Sequence, residues 1–173
     1  MLTVLIPALD DEPALLDTIA ALVPAAAEGV VRDVILIAPE TTGFVAVVAD
    51  AAGCALVRAE GGRPEMLAAG AASARCAWSL VIEPGLVPAG GWMEEAADFL
   101  AGSPDGAQGA AFSLTARGGR GRLKAMLANV RASLLGRSDP AAALIVATER
   151  LAARRLPRVV RLASPMIDRR GRR

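Results

Sequence analysis

Short apolar runs alternate along the 173-residue chain with longer stretches in which apolar residues recur every three or four positions. The runs have the length of buried strands and the stretches the period of amphipathic helices. The pattern therefore predicts an α/β fold with a mostly parallel sheet. Leu2–Ile6 reads as the first strand. Asp10 or Asp11 caps the helix after it, with Pro13 near the first turn and Leu15, Leu16, Ile19, Leu22 and Val23 on one face. Val34–Ile37 is a second strand, a helix from Thr42 through Ala51 ends at Gly53, and Cys54–Val57 is a third strand. Pro64 opens an Ala-rich helix that runs to Arg75, Trp78–Ile82 makes the fourth strand, and Gly90 or Gly91 leads into a helix carrying Trp92, Met93, Ala96, Phe99 and Leu100. Ala110–Thr115 is a further strand and Leu123–Leu135 a helix closed by Gly136. Ala143–Ala147, a short helix over Thr148–Arg155, and Arg158–Leu162 complete the series. This length suits one domain, which we place over residues 1–163, with residues 164–173 as a basic tail.

Composition narrows the chemistry. Hydrophobic residues make up 54% of the chain, yet no apolar run approaches the length of a bilayer span. Pro7 and Asp10 interrupt the first run and no basic segment precedes it, so the expected location is the cytoplasm rather than an exported compartment. The absence of histidine and tyrosine excludes Ser-His-Asp and Cys-His catalysis and His-ligated metals, leaving Asp, Glu, Lys and Cys to move protons. Cys54 and Cys76 stand apart, without metal-ligand or redox spacing, and read as buried structural thiols.

The net charge of +1 conceals a division: residues 1–110 hold 15 acidic and 4 basic side chains, residues 111–173 hold 3 acidic and 15 basic, or −11 against +12. The basic third is expected to face something anionic, whether the acidic part of its own fold, a phosphate ligand or a membrane surface.

Several segments carry a family resemblance. Pro7-Ala8-Leu9-Asp10-Asp11-Glu12 follows the first strand, and Trp78–Ile82 runs into Glu83-Pro84-Gly85 and then into a helix led by Trp92. Between them lies Gly61-Gly62-Arg63-Pro64-Glu65, before the small-residue helix that contains Gly70. This arrangement resembles the family 2 glycosyltransferases of the GT-A fold, across almost the whole chain. The resemblance implies a single-domain, three-layer α/β/α architecture with a Rossmann-like sheet.

It also implies roles. Pro7, Ala8, Leu9, Asp11 and Glu12 match the loop of form Pro-Ala-x-Asn-Glu-Glu that lies against the nucleotide. Ligands of open α/β sheets bind there, beyond the carboxyl ends of strands, although Asp-Asp-Glu before a helix is also ordinary capping. Glu40, after the second strand, is the one acid left where the family carries its base-contacting Asp. Arg63 matches the basic residue that meets the diphosphate, a role suited to a planar guanidinium. Glu83 takes the place of the first acid of the metal-binding Asp-x-Asp, and Gly85 that of the second. The implied cofactor is Mg²⁺ or Mn²⁺, a hard cation held by carboxylate and phosphate oxygens.

Ser164-Pro165-Met166-Ile167-Asp168 resembles a Pro-x-Met-Glu-Asp motif whose acids serve the acceptor hydroxyl, which makes Asp168 the candidate general base. The family's Asp-Gln-Gly aligns with Ala141-Ala142-Ala143, beside Asp139. The implied function is metal-assisted, inverting transfer of a sugar from a nucleotide diphosphate. Four functional positions have lost acids, so the alternative is a catalytically impaired relative acting as a binding or regulatory subunit. Arg117–Arg122 and the Arg-rich end offer a peripheral contact to anionic lipid at the inner membrane face. Nucleic acid is the poorer partner, since aromatic residues are 3% of the chain and none interleaves the basic segments.

Overall fold

The computed structural model describes residues 1–8, 12–103, 105–116, 143–155 and 157–169. The elements are β1 (Leu2–Pro7), α1 (Glu12–Ala27), β2 (Val31–Ala38), α2 (Gly43–Ala52), β3 (Ala55–Arg58), α3 (Arg63–Ser73), β4 (Trp78–Val81), β5 (Leu86–Pro88), α4 (Trp92–Gly102), β6 (Gly109–Ala116), β7 (Leu144–Ala147), α5 (Thr148–Ala152) and β8 (Val159–Asp168). The strands form one eight-stranded sheet in the order β3-β2-β1-β4-β7-β6-β8-β5.

β1 pairs in parallel with both β2 and β4, and β2 with β3. β7 is antiparallel to β4 and to β6, so β6 points the same way as β4, and β8 is parallel to β6. Six of the eight strands therefore share a direction; β7 and β5 run against them. The expected α/β architecture is present, with a sheet that is mixed but mostly co-directional.

The apolar runs became strands because each residue has a face to bury. Leu5, Ile6, Ile35, Leu36, Ile37, Leu80, Val81 and Ile82 are fully buried between helices, as parallel strands covered on both faces require. α3 lies close on this layer: an added Cβ at Gly70 would come within 2.4 Å of Ile37 Cδ1 and 3.3 Å of Leu5 Cδ2. Trp92 is core, meeting Phe112 edge to face at 6.3 Å between ring centroids.

Some boundaries differ from the sequence expectation. β2 begins at Val31 rather than Val34, because the Thr3 hydroxyl donates to Asp33 Oδ1 at 2.6 Å and keeps a polar residue in the ladder. β8 extends to Asp168, well past Leu162, so Ser164–Asp168 are sheet residues. β5, only three residues long, has no signature of its own in the sequence. Cys54 and Cys76 are half-buried rather than fully enclosed. Arg117–Arg122, the helix expected over Leu123–Leu135, Asp139, and residues 170–173 lie outside the described residues. Among the described residues, no helix is long and apolar enough to cross a membrane.

Candidate functional site

Because six strands point one way, their exits collect along one edge of the sheet. Ala8 follows β1, Glu40 follows β2, the start of α3 follows β3, Glu83 follows β4, and Asp168 ends β8. β1 lies between β2 and β4, the place where chain connections leave in opposite directions and where open α/β sheets bind ligands.

The turn after β4 is the best defined part of this edge. Leu86 N–H donates to Glu83 O at 3.1 Å, closing a four-residue turn with Pro84 and Gly85 in the middle. Gly85 has φ of 84°. Proline first and a positive-φ glycine second is the combination of a type II turn. α1 holds that turn from beneath. The fully buried Thr18 hydroxyl donates to Leu86 O at 3.0 Å and accepts from Gly85 N–H at 2.8 Å, and Gly85 N–H also approaches Ala14 O at 2.9 Å. The Glu83 carboxylate thus projects from a pinned backbone.

Arg63 is the first residue of α3, with Gly62 at the N-cap and Pro64 next, a sequence suited to starting a helix. Its guanidinium forms an ion pair with the Glu83 carboxylate, and their side chains are only 24% and 19% exposed. Two turn-forming segments twenty residues apart in sequence are thereby joined at the sheet edge. The first turn of α3 makes a second ion pair outward, from Glu65 to Arg154 of the α5 exit at 3.0 Å.

Asp168 arrives from the other side. In the β5–β8 ladder it is the partner of Leu86, and the next residue, Arg169, donates its N–H to Gly85 O at 2.8 Å. Asp168 is therefore placed beside the turn that carries Glu83. Its arrival depends on an irregularity in β8: Phe112 is opposite Leu162 but Ser113 is opposite Pro165, so Ala163 and Ser164 form a bulge. The Glu95 carboxylate on α4 fills that bulge, accepting Ala163 N–H at 2.6 Å and Ser164 N–H at 2.8 Å. Partial burial alone would raise the Glu95 pKa; the Ser164 hydroxyl and the two backbone N–H groups outweigh it and hold the carboxyl below the usual range. At Cys54, by contrast, burial pushes the thiol up, away from reactivity.

The structure thus brings Arg63 and Glu83 into contact and sets Asp168 beside the turn from which Glu83 projects. Pro7 and Ala8 are buried at the end of β1, where Ala8 N–H bonds Ile37 O at 2.8 Å. Glu40 is exposed beyond β2, beside Pro39, whose carbonyl accepts from Arg58 Nε at 3.2 Å. Leu9 and Asp11 lie outside the described residues, and Glu12 is the first residue of α1. Among the described residues, no group of three or more Asp, Glu or Cys gathers as a ready metal cage.

Sequence reasoning missed two supports, Thr18 and Glu95. Thr18 left a signal, a hydroxyl on the helix face that carries Leu15 and Leu22, but Glu95 left none, since its partners are backbone N–H groups of a bulge.

No family model matches the chain, and no curated protein matches it. Solved structures do. A mycobacterial protein superposes with a TM-score of 0.70 at 17% identity, covering 100% of this chain and 68% of its own. Glucosyl-3-phosphoglycerate synthase from Mycobacterium tuberculosis, in complex with Mn²⁺, uridine diphosphate and glucosyl-3-phosphoglycerate, gives 0.60 at 18% identity, with coverages of 95% and 70%. The same enzyme with Mn²⁺ and uridine-diphosphate-glucose gives 0.59 at 19%, covering 98% and 70%. Another of its complexes holds Mg²⁺ and uridine diphosphate. The fold of this chain is the GT-A-like fold of these structures.

Proposed function

We propose that this protein binds a nucleotide-diphosphate sugar at the carboxyl edge of its sheet and, as a family 2 type glycosyltransferase, transfers the sugar with inversion to an acceptor hydroxyl. The observation that carries this reading is the meeting of Arg63, Glu83 and the Asp168 strand end at one sheet edge. In this reading Pro7, Ala8, Leu9, Asp11, Glu12 and Glu40 border the nucleoside. Arg63, at the N-terminus of α3, neutralises the diphosphate through charge-assisted hydrogen bonds. Glu83 is the protein's carboxylate for Mg²⁺ or Mn²⁺, an ion that enzymes commonly hold through one or two carboxylates plus substrate phosphates, so a single Glu at a fixed turn fits. When bound, the cation offsets charge on the departing diphosphate. Asp168 takes the proton of the acceptor hydroxyl on the face opposite the leaving group.

A second reading has its own support: the turn has Gly85 where a second acid would stand, and its remaining acid is already paired with Arg63. A protein with that arrangement holds nucleotide without turnover, as a binding or regulatory subunit.

Calorimetric titration with UDP, GDP and their sugar conjugates, each with and without Mn²⁺, tests both. Binding is expected, and Arg63→Ala should weaken it by about 10- to 100-fold, the worth of hydrogen bonds to a charged group. Binding accompanied by donor hydrolysis or transfer supports the enzyme, and binding alone supports the subunit. Silence toward every nucleotide overturns both.

A further inference from the structure

The side chain expected to meet the diphosphate and the side chain expected to meet the cation are occupied with each other. Building on the nucleotide-sugar reading, we infer that Arg63 is an exchangeable counter-ion, which holds Glu83 until a nucleoside diphosphate draws the guanidinium away and frees the carboxylate for a divalent cation. The two partners differ in how firmly they are fixed. Glu83 projects from a turn closed by its own hydrogen bond and held from α1 by Thr18. Arg63 reaches Glu83 from the first residue of α3 on an unbranched side chain, whose rotamer can change without moving the helix backbone. The guanidinium therefore moves and the carboxylate stays.

The energetics favour this direction. A guanidinium taken from one carboxylate to a diphosphate gains a second negative charge and further acceptors, at a helix end whose N–H groups also favour anions. The carboxylate left behind is poorly solvated and lacks a cation, a costly state that a divalent ion relieves. Nucleotide and cation should therefore bind with positive coupling, and by linkage the coupling is reciprocal. The pair also shields the site from metal in the absence of nucleotide.

The test is Mn²⁺ binding to the intact protein, followed by the paramagnetic resonance signal of free Mn²⁺, alone and with UDP. In the wild type, UDP is expected to tighten Mn²⁺ at least fivefold, the lower end of ordinary coupling between sites. Arg63→Gln should bind Mn²⁺ alone about fivefold or more tighter than the wild type does, the same coupling seen from the other side. Arg63→Lys, which keeps the charge, should bind Mn²⁺ alone as weakly as the wild type. Adding Glu83→Gln to Arg63→Gln should abolish the gain. If the wild type binds UDP with Mn²⁺ but folded Arg63→Gln gains no affinity for Mn²⁺ alone, the exchange is wrong and the nucleotide reading stands. If the wild type binds no UDP under any condition, both fall.

Discussion

The candidate site depends on single side chains that do no chemistry themselves. Thr18 is the clearest: one buried hydroxyl accepts Gly85 N–H and donates to Leu86 O, joining α1 to the turn that carries Glu83. Valine at this position keeps the shape and removes both bonds. Leu86 O then loses its hydroxyl donor, whereas Gly85 N–H keeps an approach to Ala14 O. Thr18→Val is expected to cost about 1–3 kcal/mol by urea unfolding, the penalty for leaving a buried polar group unsatisfied. The change acts on the support of Glu83, so nucleotide-dependent Mn²⁺ affinity should fall with it; unchanged stability would show that the turn needs no hydroxyl beneath it.

At the scale of elements, α3 couples site and core. Its first residue reaches Glu83, while its buried face, Met66, Leu67, Gly70 and Ala71, rests on the sheet. Gly70 permits the approach: an alanine methyl would fall 2.4 Å from Ile37 Cδ1 and 2.9 Å from Ile37 Cγ1, so the helix must lift or Ile37 must leave its place. Gly70→Ala is expected to lower stability by about 1–3 kcal/mol, the usual cost of overpacking, despite alanine's better helix propensity. Chemical denaturation with an unchanged slope would check it, and a stabilised variant would mean that the contact is slack. The helices among the described residues and the central strands were legible because their residues bury one face or two at a regular period. β5 was not, since three residues carry no period. The full length of β8 was hidden by the exposed and half-buried residues that alternate with its buried ones, because pairing with β6 and β5, not sequence, decides where it stops.

Across the whole molecule, the site exists because the sheet brings its far edge back to the β4 exit. Four steps in strand order separate β4 from β5. A flat sheet with spacings of about 4.8 Å would set them roughly 19 Å apart. The link over residues 82–85 contains a tight turn and reaches about 14 Å at most. The sheet must therefore curl, and the bulge at Ala163 and Ser164 lies in the strand that brings Asp168 to the turn. Motif spacing could align Arg63, Glu83 and Asp168 with roles but could not show this closure, in which Glu95 receives the two bulge N–H groups. Because those bonds and the Ser164 hydroxyl lower the pKa of Glu95 in the folded protein, its contribution is complete above the ordinary glutamate range and is lost as pH falls through the lowered value. Glu95→Gln removes one acceptor oxygen and the charge. Near neutral pH it is expected to cost about 1 kcal/mol, a figure kept small because the carboxylate is partly solvated. The gap between wild type and variant should then close with acidification, measured as urea unfolding free energies from neutral pH down through the carboxylate range. A gap that stays constant with pH would mean that the carboxylate charge does not hold the bulge that β8 makes at Ala163 and Ser164.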